Sequence, residues 1–298
     1  AILAAAFLVA VLAGLIARPA AAEEVRLVQN GIALGAWLER APGKTLGEGV
    51  VLITHGQLAH NRMELVQVLQ RLLAERGRTS LALTLSYGQS DRKGFFDCGR
   101  LQTHRPIDAL AEIGAWVGWL EAAGAREIVL LGHSQGGAQT ARFAAERDRK
   151  SVKAVVLLAP ATFILTQAEA VYRSRFGIEL GPILARARAL VEAGKPTAQI
   201  DQIGFLTCEN ATATAQSVLA WYAEESGRDT PTLLPRLVKP TLVLVAENDV
   251  VVPDLKPRLP ARDDRARLTV KVINAADHFF NDLFADDAVD EIVRWLER

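Results

Sequence analysis

Short apolar runs alternate along most of the chain with longer stretches whose apolar positions recur every three to four residues. The runs are Gly49–Thr54, Ser80–Leu85, Glu127–Leu131, Ala154–Leu158, Thr241–Ala246 and Leu268–Ile273. They are apolar at consecutive positions rather than at every second one, the pattern of a strand buried on both faces. Between them, Arg62–Arg76, Pro106–Ala123, Gly137–Arg147 and Ala285–Glu297 carry helical spacing. Strand and helix in alternation predict parallel neighbours with right-handed crossovers, and so an α/β fold built on a mostly parallel, doubly wound sheet. Ahead of this series, Val25–Val28 and Ile32–Leu38 flank Asn30-Gly31, a dipeptide suited to the positive φ of a tight turn, and predict an opening hairpin.

Two segments break the alternation. From about Phe163 to Leu237 the chain is rich in Ala, Leu, Arg and Gln with helical spacing and no convincing strand. That is far more than a single crossover needs, so a helical cap insertion is expected over about 163–237. At the other extreme, Ala1–Ala17 is apolar throughout and is followed by Arg18, Pro19 and Ala20-Ala21-Ala22 ahead of Glu23 and Glu24. An apolar core ending in small residues reads as a signal peptide over 1–22, cleaved after Ala22, with a spanning anchor as the rival. The expected organisation is therefore one exported α/β domain over 23–298, periplasmic or secreted, with no stable membrane association once the leader is removed.

Composition narrows the partners. Half of the 298 residues are hydrophobic, and 34 Lys and Arg balance 34 Asp and Glu. A chain without net charge gathers neither nucleic acid nor anionic lipid, so a small or neutral ligand is expected. The two cysteines, Cys98 and Cys208, form no C-x-x-C pair, and no His and Cys cluster has zinc-ligand spacing; neither metal nor cofactor is implied. In an exported protein those cysteines fit one disulfide or two free thiols equally well.

The chemistry concentrates where strands are expected to end. Glu127–Leu131 runs straight into Gly132-His133-Ser134-Gln135-Gly136-Gly137, with a helical stretch immediately after. G-x-S-x-G between strand and helix is a nucleophile elbow: a sharp turn that lifts the serine above the sheet, with glycines where side chains would collide. A serine hydroxyl needs a neighbouring imidazole to take its proton, and His278 stands on the loop after the last strand, in Asn274-Ala275-Ala276-Asp277-His278-Phe279. The imidazole in turn needs a carboxylate. Asp249 fits, following the strand Thr241–Ala246 in Glu247-Asn248-Asp249-Val250, with Glu247 and Asp277 as rivals. For an oxyanion, the candidate donors are the backbone N–H groups of Gln57, in His55-Gly56-Gln57 after the strand Gly49–Thr54, and of Gln135, after the serine.

The ordered set His55-Gly56-Gln57, Gly132–Gly136, Asp249 and His278 resembles the serine-nucleophile α/β-hydrolases from about Val25 to Arg298. Ser86–Gly94 resembles their loop after the fourth strand but departs from its usual Asp followed by Arg-Gly-x-Gly-x-Ser. The resemblance implies acyl transfer through an acyl-enzyme, with a small acyl substrate. It excludes the dehalogenases and epoxide hydrolases of the same fold, which place Asp where Ser134 stands. A carboxylic ester hydrolase is the leading expectation. A serine peptidase or amidase is the alternative, with Glu169, Arg173, Glu224 or Glu225 as candidate terminus anchors. A binding protein that retained the fold is the third.

Overall fold

A computed structural model describes residues 22–223, 227–260 and 267–298. The expected leader lies outside the described residues except for Ala22, as do Glu224 and Glu225.

Glu23–Gln29 (β1) and Ile32–Glu39 (β2) pair antiparallel around Asn30 and Gly31, both at positive φ. Val50–Thr54 (β3), Thr79–Leu83 (β4), Ile128–His133 (β5) and Val152–Leu158 (β6) follow, separated by Glu64–Glu75 (α1), Asp108–Ala122 (α2) and Gln135–Glu146 (α3). Leu165–Phe176 (α4) and Leu180–Glu192 (α5) come next. Gln199–Phe205 (β7) and Cys208–Thr214 (β8) make a separate hairpin, then Ala215–Tyr222 (α6) and the single turn Thr230–Leu233 (α7). Thr241–Ala246 (β9), the turn Leu255–Arg258 (α8), Leu268–Ile273 (β10) and Phe284–Leu296 (α9) close the chain.

Eight strands form one sheet in the order β1-β2-β4-β3-β5-β6-β9-β10, parallel from β4 to β10 and antiparallel at β1 and β2. The consecutive apolar residues are explained by two cores. On one face α1 and α9 bury Leu69, Leu73, Val289 and Ile292 against Ile53, Leu131 and Leu244; on the other α2 and α3 bury Ile113, Trp116 and Phe143 against Leu52, Leu130 and Leu157. At about 25 cal/mol per Å² of apolar surface, covering both faces is what stabilises a parallel sheet.

Between β6 and β9 the chain leaves the sheet, and the stretch expected as helices alone also contains the hairpin β7–β8. Its turn, Leu206-Thr207, puts Leu206 at φ 58°, and the strands slip register twice. This excursion is fastened to the loop after β4. Cys98 and Cys208 are disulfide-bonded, which decides the question the sequence leaves open. The Gln102 amide donates to Thr212 O and its carbonyl accepts from Thr214 N. Trp221 Nε1 donates to His104 O, and the His104 ring is enclosed by Tyr87, Phe96, Phe205 and Trp221.

Candidate active site

Ser134 caps α3 at φ 54° and ψ −125°, a conformation that costs an L-residue of order 1–3 kcal/mol and persists only where the surroundings enforce it. They do so through backbone bonds: Ser134 N donates to Leu158 O at 3.0 Å, and Ser134 O accepts from Ala161 N at 2.9 Å and Gly137 N at 2.9 Å. Two glycines let the turn close. A Cβ on Gly132 would run into Gly136 O, and one on Gly136 would run into His55 O.

The two remaining loops converge on this turn from β9 and β10. His278 Nε2 lies 2.9 Å from Ser134 Oγ, and its Nδ1 lies 2.7 Å from Asp249 Oδ2. Both partners of the second contact are sequestered, with His278 and Asp249 side chains 4% and 5% exposed. Asp249 Oδ1 accepts the amides of Val251 at 2.8 Å and Val252 at 2.9 Å, which fixes the carboxylate's plane. Burial by itself would raise the Asp249 pKa; the His278 ring and these two amides outweigh it and hold the carboxyl below its usual value.

The rival acids have other partners. Glu247 accepts the Ala275 amide at 2.8 Å and ties the two loops together. Asp277 accepts the amides of Phe279 and Asn281 within its own loop. Of the other histidines, His55 is buried and bridges Gly56 O and the Leu85 amide. His60 and His104 sit in the loops after β3 and β4. Sequence order therefore selects the same Ser, Asp and His that the fold brings into contact.

Beside the serine, the loop after β3 is pinned by groups the sequence does not single out. Tyr87 OH accepts the Leu58 amide at 3.0 Å, and the buried Arg92 reaches Ala59 O, Leu85 O and Gly94 O. The Leu58 amide is thereby engaged, while the neighbouring Gln57 amide is not. Among the described residues, neither the Gln57 nor the Gln135 amide donates to a protein acceptor. An unengaged amide at the first turn of α3 also lies at the positive end of the helix dipole. No group of described His, Cys, Asp and Glu side chains could hold a metal ion.

A mostly parallel eight-stranded sheet carrying a strained serine between β5 and α3, with a histidine and an aspartate on the two following carboxyl-edge loops, defines the α/β-hydrolase class. Residues 50–295 match the profile of the alpha/beta hydrolase family, and the chain belongs to it. No curated protein matches the sequence. Among solved structures of similar fold is Est1E from Butyrivibrio proteoclasticus, at 18% identity and TM-score 0.62, covering 92% of this chain and 99% of that one. Another is the Pyrococcus furiosus esterase Pf2001, at 14% identity and TM-score 0.59, covering 94% and 90%. The alpha/beta hydrolase GrgF from Penicillium sp. sh18 aligns at 16% identity and TM-score 0.64, covering 93% and 98%.

Proposed function

We propose that this chain is an exported serine hydrolase that cleaves a small carboxylic ester through an acyl-enzyme, with Ser134 as nucleophile, His278 as general base and Asp249 orienting it. The observation that carries the reading is the continuous relay Asp249 Oδ2, His278 Nδ1, His278 Nε2, Ser134 Oγ, with each step within hydrogen-bond distance. In that relay His278 Nδ1–H donates to Asp249, which leaves Nε2 bare to accept the Ser134 proton. The alkoxide adds to the ester carbonyl, and the Gln57 and Gln135 amides receive the oxyanion. Collapse returns the proton from His278 to the departing alcohol. Water then repeats the sequence: His278 takes its proton, hydroxide adds to the acyl carbonyl, and Ser134 leaves reprotonated with release of the acid.

Two further observations support parts of this reading. The disulfide fits an oxidising compartment outside the cytoplasm. Esterases recur among the similar folds, and Est1E has been solved with ferulic acid bound. The insertion after β6, entered through Ala161 whose amide donates to Ser134 O, is the element that would shape the acyl pocket. Of the two described candidate anchors for a peptide terminus, Arg173 is engaged with Glu179 on the surface and Glu169 is exposed.

A fluorophosphonate should label the purified chain at one site and abolish hydrolysis of short nitrophenyl esters. The Ser134→Ala variant should do neither, and aminoacyl anilides should turn over far more slowly than esters. Labelling that survives Ser134→Ala would overturn the assignment.

A further inference from the structure

His133, the residue before the serine, has no part in the relay, yet its ring lies where three loops meet. It is the last residue of β5 and is 1% exposed. Its Nε2 is 2.9 Å from the backbone carbonyl oxygen of His278, a residue 145 positions away. A carbonyl only accepts, so this nitrogen carries the ring hydrogen and the tautomer is fixed as Nε2–H. Nδ1 is then a bare lone pair, and no protein group hydrogen-bonds to it. It faces Gly56, where a Cβ would approach it to 3.3 Å. The same ring leans on the His278 ring, with centroids 5.0 Å apart, and on that of Phe279 at 6.0 Å.

The base loop is held unevenly. On its acid side, Asn248 N donates to Ala276 O at 2.8 Å, Asn248 Nδ2 to Ala275 O at 3.2 Å, and Ala275 N to Glu247 at 2.8 Å. Asp277 ties only residues of its own loop. Toward the serine, among the described residues, the His133 bond is the one hydrogen bond from β5 to the backbone of 274–282. That bond is anchored one residue away from the serine itself.

We propose, on the strength of the serine-hydrolase reading, that His133 is a positioning residue whose ring N–H holds the backbone of His278 in register with Ser134. Because the interaction acts on the reacting distance and not on substrate, its loss should lower kcat and kcat/KM together and leave KM alone. Displacing the base by a fraction of an ångström to 1 Å is enough to cost up to about 100-fold. The competing account is that His133 only fills space, in which case any ring of similar volume serves.

His133→Phe keeps the ring volume and removes the donor; His133→Gln keeps a donor of similar reach. The expected result with a nitrophenyl ester is a 10- to 100-fold lower kcat for His133→Phe with KM within about twofold, and recovery of most of that loss by His133→Gln. Equal activity of His133→Phe and the unmodified chain, or equal loss in both variants, would overturn the proposal. Should neither variant fold, nitrogen-15 spectra of the unmodified chain decide instead: a proton on His133 Nε2 supports the proposal and one on Nδ1 refutes it. Labelling of Ser134 in the unmodified chain tests the hydrolase reading separately, since the positioning role is read only from ratios between variants and from the tautomer.

Discussion

Asp249 uses its two oxygens differently, one on the Val251 and Val252 amides and one on His278 Nδ1. An asparagine can keep the first contact through its carbonyl oxygen. It would then present an NH₂ to the imidazole, which stabilises the tautomer bearing hydrogen on Nε2, unable to accept from serine. Asp249→Asn should therefore lower ester turnover by about 10⁴ without a matching loss of thermal stability, as measured by kcat and the melting temperature on the same preparation. Full activity would reassign the role to another acid. The three relay residues are readable in the sequence because each obeys two constraints at once, its chain order and its place just beyond an apolar run. For His133, Tyr87 and Arg92 a place near an apolar run is not enough: what matters is the carbonyl or amide each one meets, and those partners lie 145, 29 and as many as 33 positions away.

The strands and crossover helices are legible because burial on two faces leaves uninterrupted apolar runs. The hairpin β7–β8 is hidden for the opposite reason. Its turn has Leu206 at positive φ where Asn or Gly would have signalled it, and its strands mix Gln, Thr and Ala with slipped register. Another element-scale feature is the junction where the excursion leaves and rejoins the sheet. The buried Asp229 accepts from Arg258 through both oxygens and from the Phe163 amide, while Asp254 takes the Thr162 hydroxyl and Arg258 Nη1. One turn on the acid loop thus clasps both ends of the excursion. Removing Asp229 strands the Phe163 amide and leaves Arg258 without its main partner. Because Arg258 is 27% exposed and water can reach it, Asp229→Ala should cost on the order of 2 kcal/mol, below the range for fully buried pairs. Urea denaturation measures this, and a loss under about 0.5 kcal/mol, the scale of an ordinary surface change, would show that the junction is not a clasp.

For the whole molecule, acid sensitivity follows from three enclosed imidazoles. Burial foremost pushes His55, His104 and His133 each down to about 3 from 6.5. Their unfolded forms bind protons that the folded forms exclude. Stability is thus fully present above about pH 6.5 and is lost as pH falls toward 3, by up to about 4 kcal/mol per pH unit once all three rings charge in the unfolded chain. Denaturant titrations between pH 7 and pH 5 should show this decline well above the carboxylate range, and a flat profile would mean that the rings are not held neutral.

The disulfide has a topological consequence. Joining Cys98 to Cys208 closes a covalent ring that contains Ser134 and Gln135 and leaves Gln57, Asp249 and His278 on the two tails. The mostly exposed α4 lies on the ring. A single protease cut there opens the ring into two arms without detaching either, so the serine and its imidazole stay on one molecule until a reductant separates them.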